Sequence, residues 1–267
     1  MSKTILLTGA TDGIGLATAH ALAELGHTLL LHGRRQPKVD AVTRAVTEAG
    51  GKATGYVADL SRFSDVEALA RAVADDHSRI DVLINNAGVF RTNTPTTNDG
   101  LDVRFVVNTI APYLLTQRLL PLLGPSARVV NLSSAAQSPV DLRALAGSVR
   151  LGDGPAYAQS KLALTMWSTA MAESVGEDGP LLVAVNPGSM LGTKMVKDAY
   201  GVPGGDIGIG ADILVRAALS DEFANASGLY FDNDSRRFAA PHPDALDRNK
   251  REAVVRALQE VLEKHID

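Results

Sequence analysis

Short apolar runs alternate with helix-length segments along almost the whole sequence, and this alternation restricts the fold more than any other feature. The runs predict strands at Thr4–Thr8, Thr28–His32, Lys52–Val57, Val82–Ile84, Arg128–Leu132, Leu181–Val185 and Leu229–Phe231. Several of them, such as Leu181-Leu182-Val183-Ala184-Val185, are continuously apolar, which suits a sheet covered on both sides. Between them, Val42, Ala45, Val46 and Ala49 follow helical spacing and stop at Gly50-Gly51. Ser64 and Glu67 form a candidate capping box ahead of Val66, Leu69, Ala70 and Val73. A last helix is expected from near Asp244 to near Lys264, packed through Val254, Leu258, Val261 and Leu262. Strand–helix alternation demands right-handed crossovers. The expected architecture is therefore one α/β domain over residues 1–267, a doubly wound parallel sheet of about seven strands with helices on both faces. With 267 residues, 45% of them hydrophobic, the chain can bury such a core.

Composition removes several classes of function. The net charge of -4 leaves no electrostatic footprint for nucleic acid. No apolar run approaches the roughly 18 residues of a membrane-spanning helix, so no membrane anchor is expected. There is no cysteine, which rules out disulfides, thiolate catalysis and cysteine metal sites. The six histidines are scattered without ligand spacing, and no metal site is expected. Strand character begins at Thr4, leaving no visible leader, and cytoplasmic residence is the expectation.

Two motifs carry chemistry. Thr8-Gly9-Ala10-Thr11-Asp12-Gly13-Ile14-Gly15 places glycines where the first strand turns into the first helix. There, backbone amides can approach a pyrophosphate and the helix N-terminus adds partial positive charge. A turn that needs glycine for backbone reasons alone is the competing explanation. Tyr157-Ala158-Gln159-Ser160-Lys161 places a phenol and an ammonium four residues apart, on one helix face. A nearby ammonium favours phenolate and lowers a phenol's pKa from near 10, which suits proton transfer. At the end of the second strand stand Arg34 and Arg35 with no acidic residue. Guanidinium can grip a 2′-phosphate where an acid would bind a 2′-hydroxyl, so NADP(H) is favoured over NAD(H). His32 beside them is read as a structural strand-end histidine.

With these motifs stand five more in fixed order, and together they resemble a short-chain dehydrogenase/reductase over nearly the full length. Asp59-Leu60 matches the adenine-contacting acidic residue, and Asn85-Asn86-Ala87-Gly88 matches the N-N-A-G signature. Asn131-Leu132-Ser133-Ser134 matches the serine motif, and Asn186-Pro187-Gly188 matches the turn beside the nicotinamide. Asn108 falls where the family has its helix asparagine. The resemblance implies a Rossmann-fold oxidoreductase that moves a hydride between a nicotinamide and a carbonyl or alcohol. It assigns Tyr157 as general acid or base and Lys161 to ribose binding and priming of the phenol. Ser134, rather than Ser133, would stabilise the substrate oxygen, and Asn108 would support a proton-relay water. Cofactor contacts are implied for Gly9, Thr11, Asp12, Gly13, Ile14, Gly15, Arg34, Arg35, Asp59, Leu60, Asn86, Ala87, Gly88, Asn108, Tyr157, Lys161, Pro187, Gly188 and Thr193.

Ser134 and Tyr157 stand 23 positions apart, a longer spacing that resembles the retinol-dehydrogenase-like branch. So does Gly228-Leu229-Tyr230-Phe231 followed by a basic loop and a final helix. The branch implies a bulky or apolar small-molecule substrate. The extra residues form an insertion at 139–155, within a loop-rich stretch at Gln137–Pro155. A second such stretch, Ser189–Asp206, is the expected substrate loop. Asp12 is out of place for a 2′-phosphate site, which puts most of the NADP expectation on Arg34. Members of the family commonly associate through the tyrosine helix and the one before it, so the resemblance leaves a homodimer or homotetramer open, with Leu162, Leu164, Met166 and Trp167 either serving such a face or packing on the sheet. A non-catalytic dinucleotide-binding regulator with the same fold is the alternative reading.

Overall fold

The computed structural model describes residues 2–266. Eight strands form one sheet in the order β3-β2-β1-β4-β5-β6-β7-β8. They are β1 (Thr4–Leu7), β2 (Thr28–Gly33), β3 (Lys52–Val57), β4 (Val82–Asn85), β5 (Arg128–Leu132), β6 (Leu181–Asn186), β7 (Tyr230–Asp232) and β8 (Arg237–Phe238). All neighbours are parallel except β7 and β8. The eighth strand is the difference from the expected seven: the basic segment after β7 turns back as a short antiparallel edge, and Phe238 packs against Phe231 and Phe223.

The continuously apolar strands divide their side chains between two cores, because successive residues point to opposite faces. Leu6, Leu30, Leu83, Val129 and Leu182 enter one core; Ile5, Leu7, Leu29, Leu31, Ile84, Val130 and Val183 enter the other. The second core is covered by α1 (Gly13–Glu24), α2 (Gln36–Glu48) and α9 (Ile207–Leu219). The first is covered by α3 (Phe63–Asp76), α5 (Ala111–Leu119), α7 (Asp153–Val175) and α11 (Arg248–His265). A single α-turn, α4 (Val103–Phe105), and a π-turn at Val106–Ile110 lead into α5.

Several local expectations are corrected. The capping box does not form. Helix α3 begins at Phe63 with Arg62 at its N-cap and no side-chain cap, while Glu67 pairs with Arg118 at 2.7 Å. In α2 the buried stripe is Val39, Val42 and Val46; Ala45 and Ala49 face solvent. The final helix is broken into α10 (Pro243–Leu246) and α11, because Asp247 turns its carboxylate onto the Lys250 amide as a new N-cap. Its four expected apolar positions are all buried. The insertion carries a short helix, α6 (Leu142–Leu145), and the 189–206 loop carries α8 (Lys194–Tyr200).

Candidate active site

The chain leaves β1 for one edge of the sheet and returns at β4 to build the other, so the crevice between β1 and β4 opens at the strands' carboxyl ends. A cleft of about 540 Å³ occupies this position. Its floor is the glycine turn. Gly9 adopts φ +67°, and a Cβ on Gly15 would fall 2.1 Å from the Gly9 carbonyl oxygen, so only glycine lets α1 start this close to the turn. Around it the structure spends side chains on bracing. Asn86 donates from Nδ2 to the Thr8 and Gly9 carbonyls (2.8 and 3.1 Å). His32 accepts from the Gly9 amide (3.3 Å) and meets the Ala58 carbonyl through Nε2 (3.0 Å). Burial pushes its pKa down to about 4 and keeps the ring neutral, in line with the structural reading of that residue.

The opposite wall comes from β5, α7 and the loop after β6. Ser133 and Ser134 separate cleanly. The Ser133 hydroxyl turns into α7, 2.7 Å from Thr165 Oγ1, whereas Ser134 Oγ accepts from the Ala136 amide and lines the cleft with Tyr157. Lys161 is 3% exposed and donates from Nζ to the Leu132 carbonyl at 2.6 Å, with Nζ 5.7 Å from the centre of the Tyr157 ring. Gly88 sits between Lys161 and Asn108: a Cβ there would lie 3.6 Å from Nζ and 3.4 Å from Asn108 Oδ1. Thr193 caps α8 and faces Gly13 at the start of α1.

A profile of the short chain dehydrogenase family matches residues 3–201. The chain belongs to that family, in its retinol-dehydrogenase-like branch. Retinol dehydrogenase 13 of Mus musculus is 32% identical over 268 aligned positions, covering 92% of this chain and 79% of that one. A crystal structure of an uncharacterised protein from Mycobacterium paratuberculosis superposes with a TM-score of 0.81 at 27% identity, covering 98% of this chain and 93% of that one. A metagenomic short-chain oxidoreductase in complex with NADP is 30% identical, with a TM-score of 0.63, 82% of this chain and 91% of that one covered.

Within this short-chain dehydrogenase the expected residues divide into two groups. Gly9, Thr11, Asp12, Gly13, Ile14, Gly15, Arg34, Leu60, Asn86, Ala87, Gly88, Ser134, Tyr157, Lys161, Pro187, Gly188 and Thr193 line the cleft. Arg35, Asp59 and Asn108 stand outside its lining. Arg35 occupies the N-cap of α2, and Asp59 turns its carboxylate onto the Ser61 amide and hydroxyl. Asn108 is buried in the π-turn, bonded to both backbone polar groups of Val89 and to Ser160 Oγ. Asp12 caps α1 and is paired with Lys38 at 3.0 Å, which holds its carboxyl below the ordinary range.

The expected lowering of the Tyr157 pKa is not found in the free chain. Burial pushes the phenol up, against a downward pull from the Ser134 hydroxyl, and Tyr200 adds to the rise. Burial also brings Lys161 down to about 7, so its ammonium is only part-populated at neutral pH. Sequence reasoning also missed the aromatic wall. Phe90 packs 4.8 Å from the Tyr157 ring and 6.0 Å from that of Tyr200 on α8. These rings are brought together from the loop after β4, α7 and α8, and no short-range spacing marks them.

The cleft fits a dinucleotide on its own chemistry. The glycine turn presents backbone at the α1 N-terminus. Arg34 supplies a cation at the β2 end, and Lys161, with one protein acceptor, retains N–H donors for ribose hydroxyls in either protonation state.

Proposed function

We propose that this short-chain dehydrogenase is NADP(H)-dependent and interconverts a bulky or apolar carbonyl compound and its alcohol. The reading is carried by the meeting of Ser134, Tyr157 and Lys161 with the glycine turn in one cleft. A bound nicotinamide would supply or accept the hydride. The chain handles the proton and the charge. In reduction, the Tyr157 hydroxyl gives its proton to the carbonyl oxygen as negative charge builds there. The Ser134 hydroxyl donates a second hydrogen bond to the same oxygen. Lys161 would hold the ribose, and recruiting its ammonium towards Tyr157 would counter the desolvation that raises the phenol. Asn108, locked to Val89 and Ser160, would hold the π-turn carbonyls for a relay water. Gly9, Thr11, Asp12, Gly13, Ile14, Gly15 and Thr193 would surround the pyrophosphate, with Asn86, Ala87, Gly88, Pro187 and Gly188 flanking the nicotinamide half. Arg34 would grip the 2′-phosphate and Arg35 would add its charge from the rim, while Asp59 and Leu60 would bound the adenine.

Phe90, Tyr200, Met190, Leu191, Met195 and Val196 give the substrate end an apolar, ring-lined wall, which favours a bulky hydrocarbon part next to the reacting carbonyl.

A panel of ketones, aldehydes and alcohols screened with NADPH and NADH in parallel tests the proposal. The expected result is turnover of apolar members with NADPH and its loss in Tyr157→Phe. Tight NADPH binding without turnover across the panel would favour the regulator.

A further inference from the structure

Helix α7 begins poorly. Its N-cap is Gly152 with no side-chain cap, and Gly154 lies in the first turn. Glycine there is flexible and uncapped amides fray. Yet Tyr157, whose hydroxyl must be held to a fraction of an ångström, stands only four residues into this helix.

The structure compensates with a buried arginine. Arg104 on α4 is 1% exposed. Its Nε and Nη2 fork onto the two oxygens of Asp102 at 2.8 and 2.5 Å. Its Nη1 donates to Asp153, the first residue of α7. Arg104 precedes Asn108 by four residues, and Asp153 precedes Tyr157 by four, so this contact lies one turn before each. A second bolt follows: Asn108 Nδ2 donates to Ser160 Oγ (3.0 Å) and Thr109 Oγ1 to the Ser160 carbonyl (2.7 Å). Tyr157 therefore lies on a segment of α7 pinned at both ends to the helix that carries Asn108.

Stability alone does not explain a buried guanidinium, since a buried ion pair is weak evidence for stability and an apolar contact fills such a space as well. What the fork supplies is fixed orientation.

We propose that Arg104, with Asp102 and Asp153, is a positioning residue for Tyr157, and that the 139–155 insertion is the arm that brings Asp153 to it. The inference rests on the assignment of Tyr157 as proton donor. The insertion is tied down along its length. Asp141 donates its amide to Gln159 Oε1 (2.9 Å), Leu145 is fully buried, and Arg150 Nη1 reaches Thr96 Oγ1 (2.7 Å), close to Asp102.

Asp153→Asn is the deciding variant. Asp153 is half-exposed, and the substitution leaves the Arg104–Asp102 pair intact. The expected result is a fall in kcat of about tenfold with little change in KM, in line with the sensitivity of catalysis to small displacements. NADPH affinity and the thermal midpoint should stay near those of the parent, Asp153→Glu should recover most of the rate, and the pH profile of kcat should shift. A second readout needs no turnover: the Tyr157 phenol titration, read by difference absorbance against Tyr157→Phe, should move in Asp153→Asn and in Arg104→Lys. An unchanged kcat, pH profile and phenol titration in Asp153→Asn would overturn the proposal. So would a loss of kcat that only tracks lost folding. Absence of turnover in the parent chain would instead count against the enzymatic reading, leaving the titration to judge the positioning role.

Discussion

On the proposed reading, cofactor choice turns on Arg34. It is the only one of the two β2-end arginines that lines the cleft, and Asp12, an acid in the same lining, is tied to Lys38. Arg34→Ala should raise the KM for NADPH at least about tenfold and leave that for NADH nearly unchanged, because only the former loses a charge-assisted, bidentate contact. Equal losses with both cofactors would remove its assigned role. Lys161 makes a second prediction, in stability against pH. Its folded value, about 7, lies below its ordinary 10.5. Between those limits the unfolded chain binds more protons than the folded one, so this group makes stability rise with pH across that window. Below about 7 the burial penalty on the charged amine is fully present. Denaturant titrations of the cofactor-free protein should therefore show Lys161→Met gaining most over the parent near pH 7, the gap closing towards pH 10. A gap that widened with pH would contradict the burial of this amine.

At the scale of elements, the glycine turn and its helix behave as one packed unit. A methyl on Gly15 would strike the Gly9 carbonyl at 2.1 Å and Asn86 Nδ2 at 2.5 Å, the first of these being backbone that cannot step aside. Gly15→Ala should destabilise the fold by about 3 kcal/mol, at the upper end of overpacking costs, and abolish NADPH binding; calorimetry and fluorescence titration check the two separately. This turn was legible in the sequence because its signal is local, as were the first seven strands, most of whose apolar runs are short, continuous and bounded by turns. Tyr157 and Lys161 were legible for the same reason, being one helical turn apart. What could not be read depends on distant partners. Arg237–Phe238 becomes a strand only because β7 offers it an edge and Phe223 and Phe231 offer it a surface. Asp12 reads as out of place for a 2′-phosphate site, and only the fold brings Lys38, on α2, against it. Ser64 and Glu67 matched a capping box, but Glu67 finds a stronger partner in Arg118 from α5. Phe90 and Tyr200 meet only once the 189–206 segment folds over the cleft.

For the whole molecule, the decisive element is α7. Every residue from Ser160 to Ser168 is buried, a pattern that no helix with one free face can show. Leu162, Leu164, Met166 and Trp167, the side chains expected to offer an interface, are at most 2% exposed within a single chain. Helix α11 is a main reason. It lays Val254, Leu258, Val261 and Leu262 into the same core as α5 and α7, and Arg251 reaches Glu173 of α7 at 2.5 Å. The surface that α5 and α7 would offer a second subunit is thus occupied by α11 of the same chain. Sedimentation equilibrium at micromolar concentration should return one species near the chain mass of 28.1 kDa. Replacing Leu258 and Leu262 with Asp would place charge in that apolar seam; it should expose α5 and α7, lower the thermal midpoint and promote self-association. A stable dimer formed by the parent, undisturbed by the same substitutions, would mean that subunits meet through some other face and that α11 has no part in deciding the assembly.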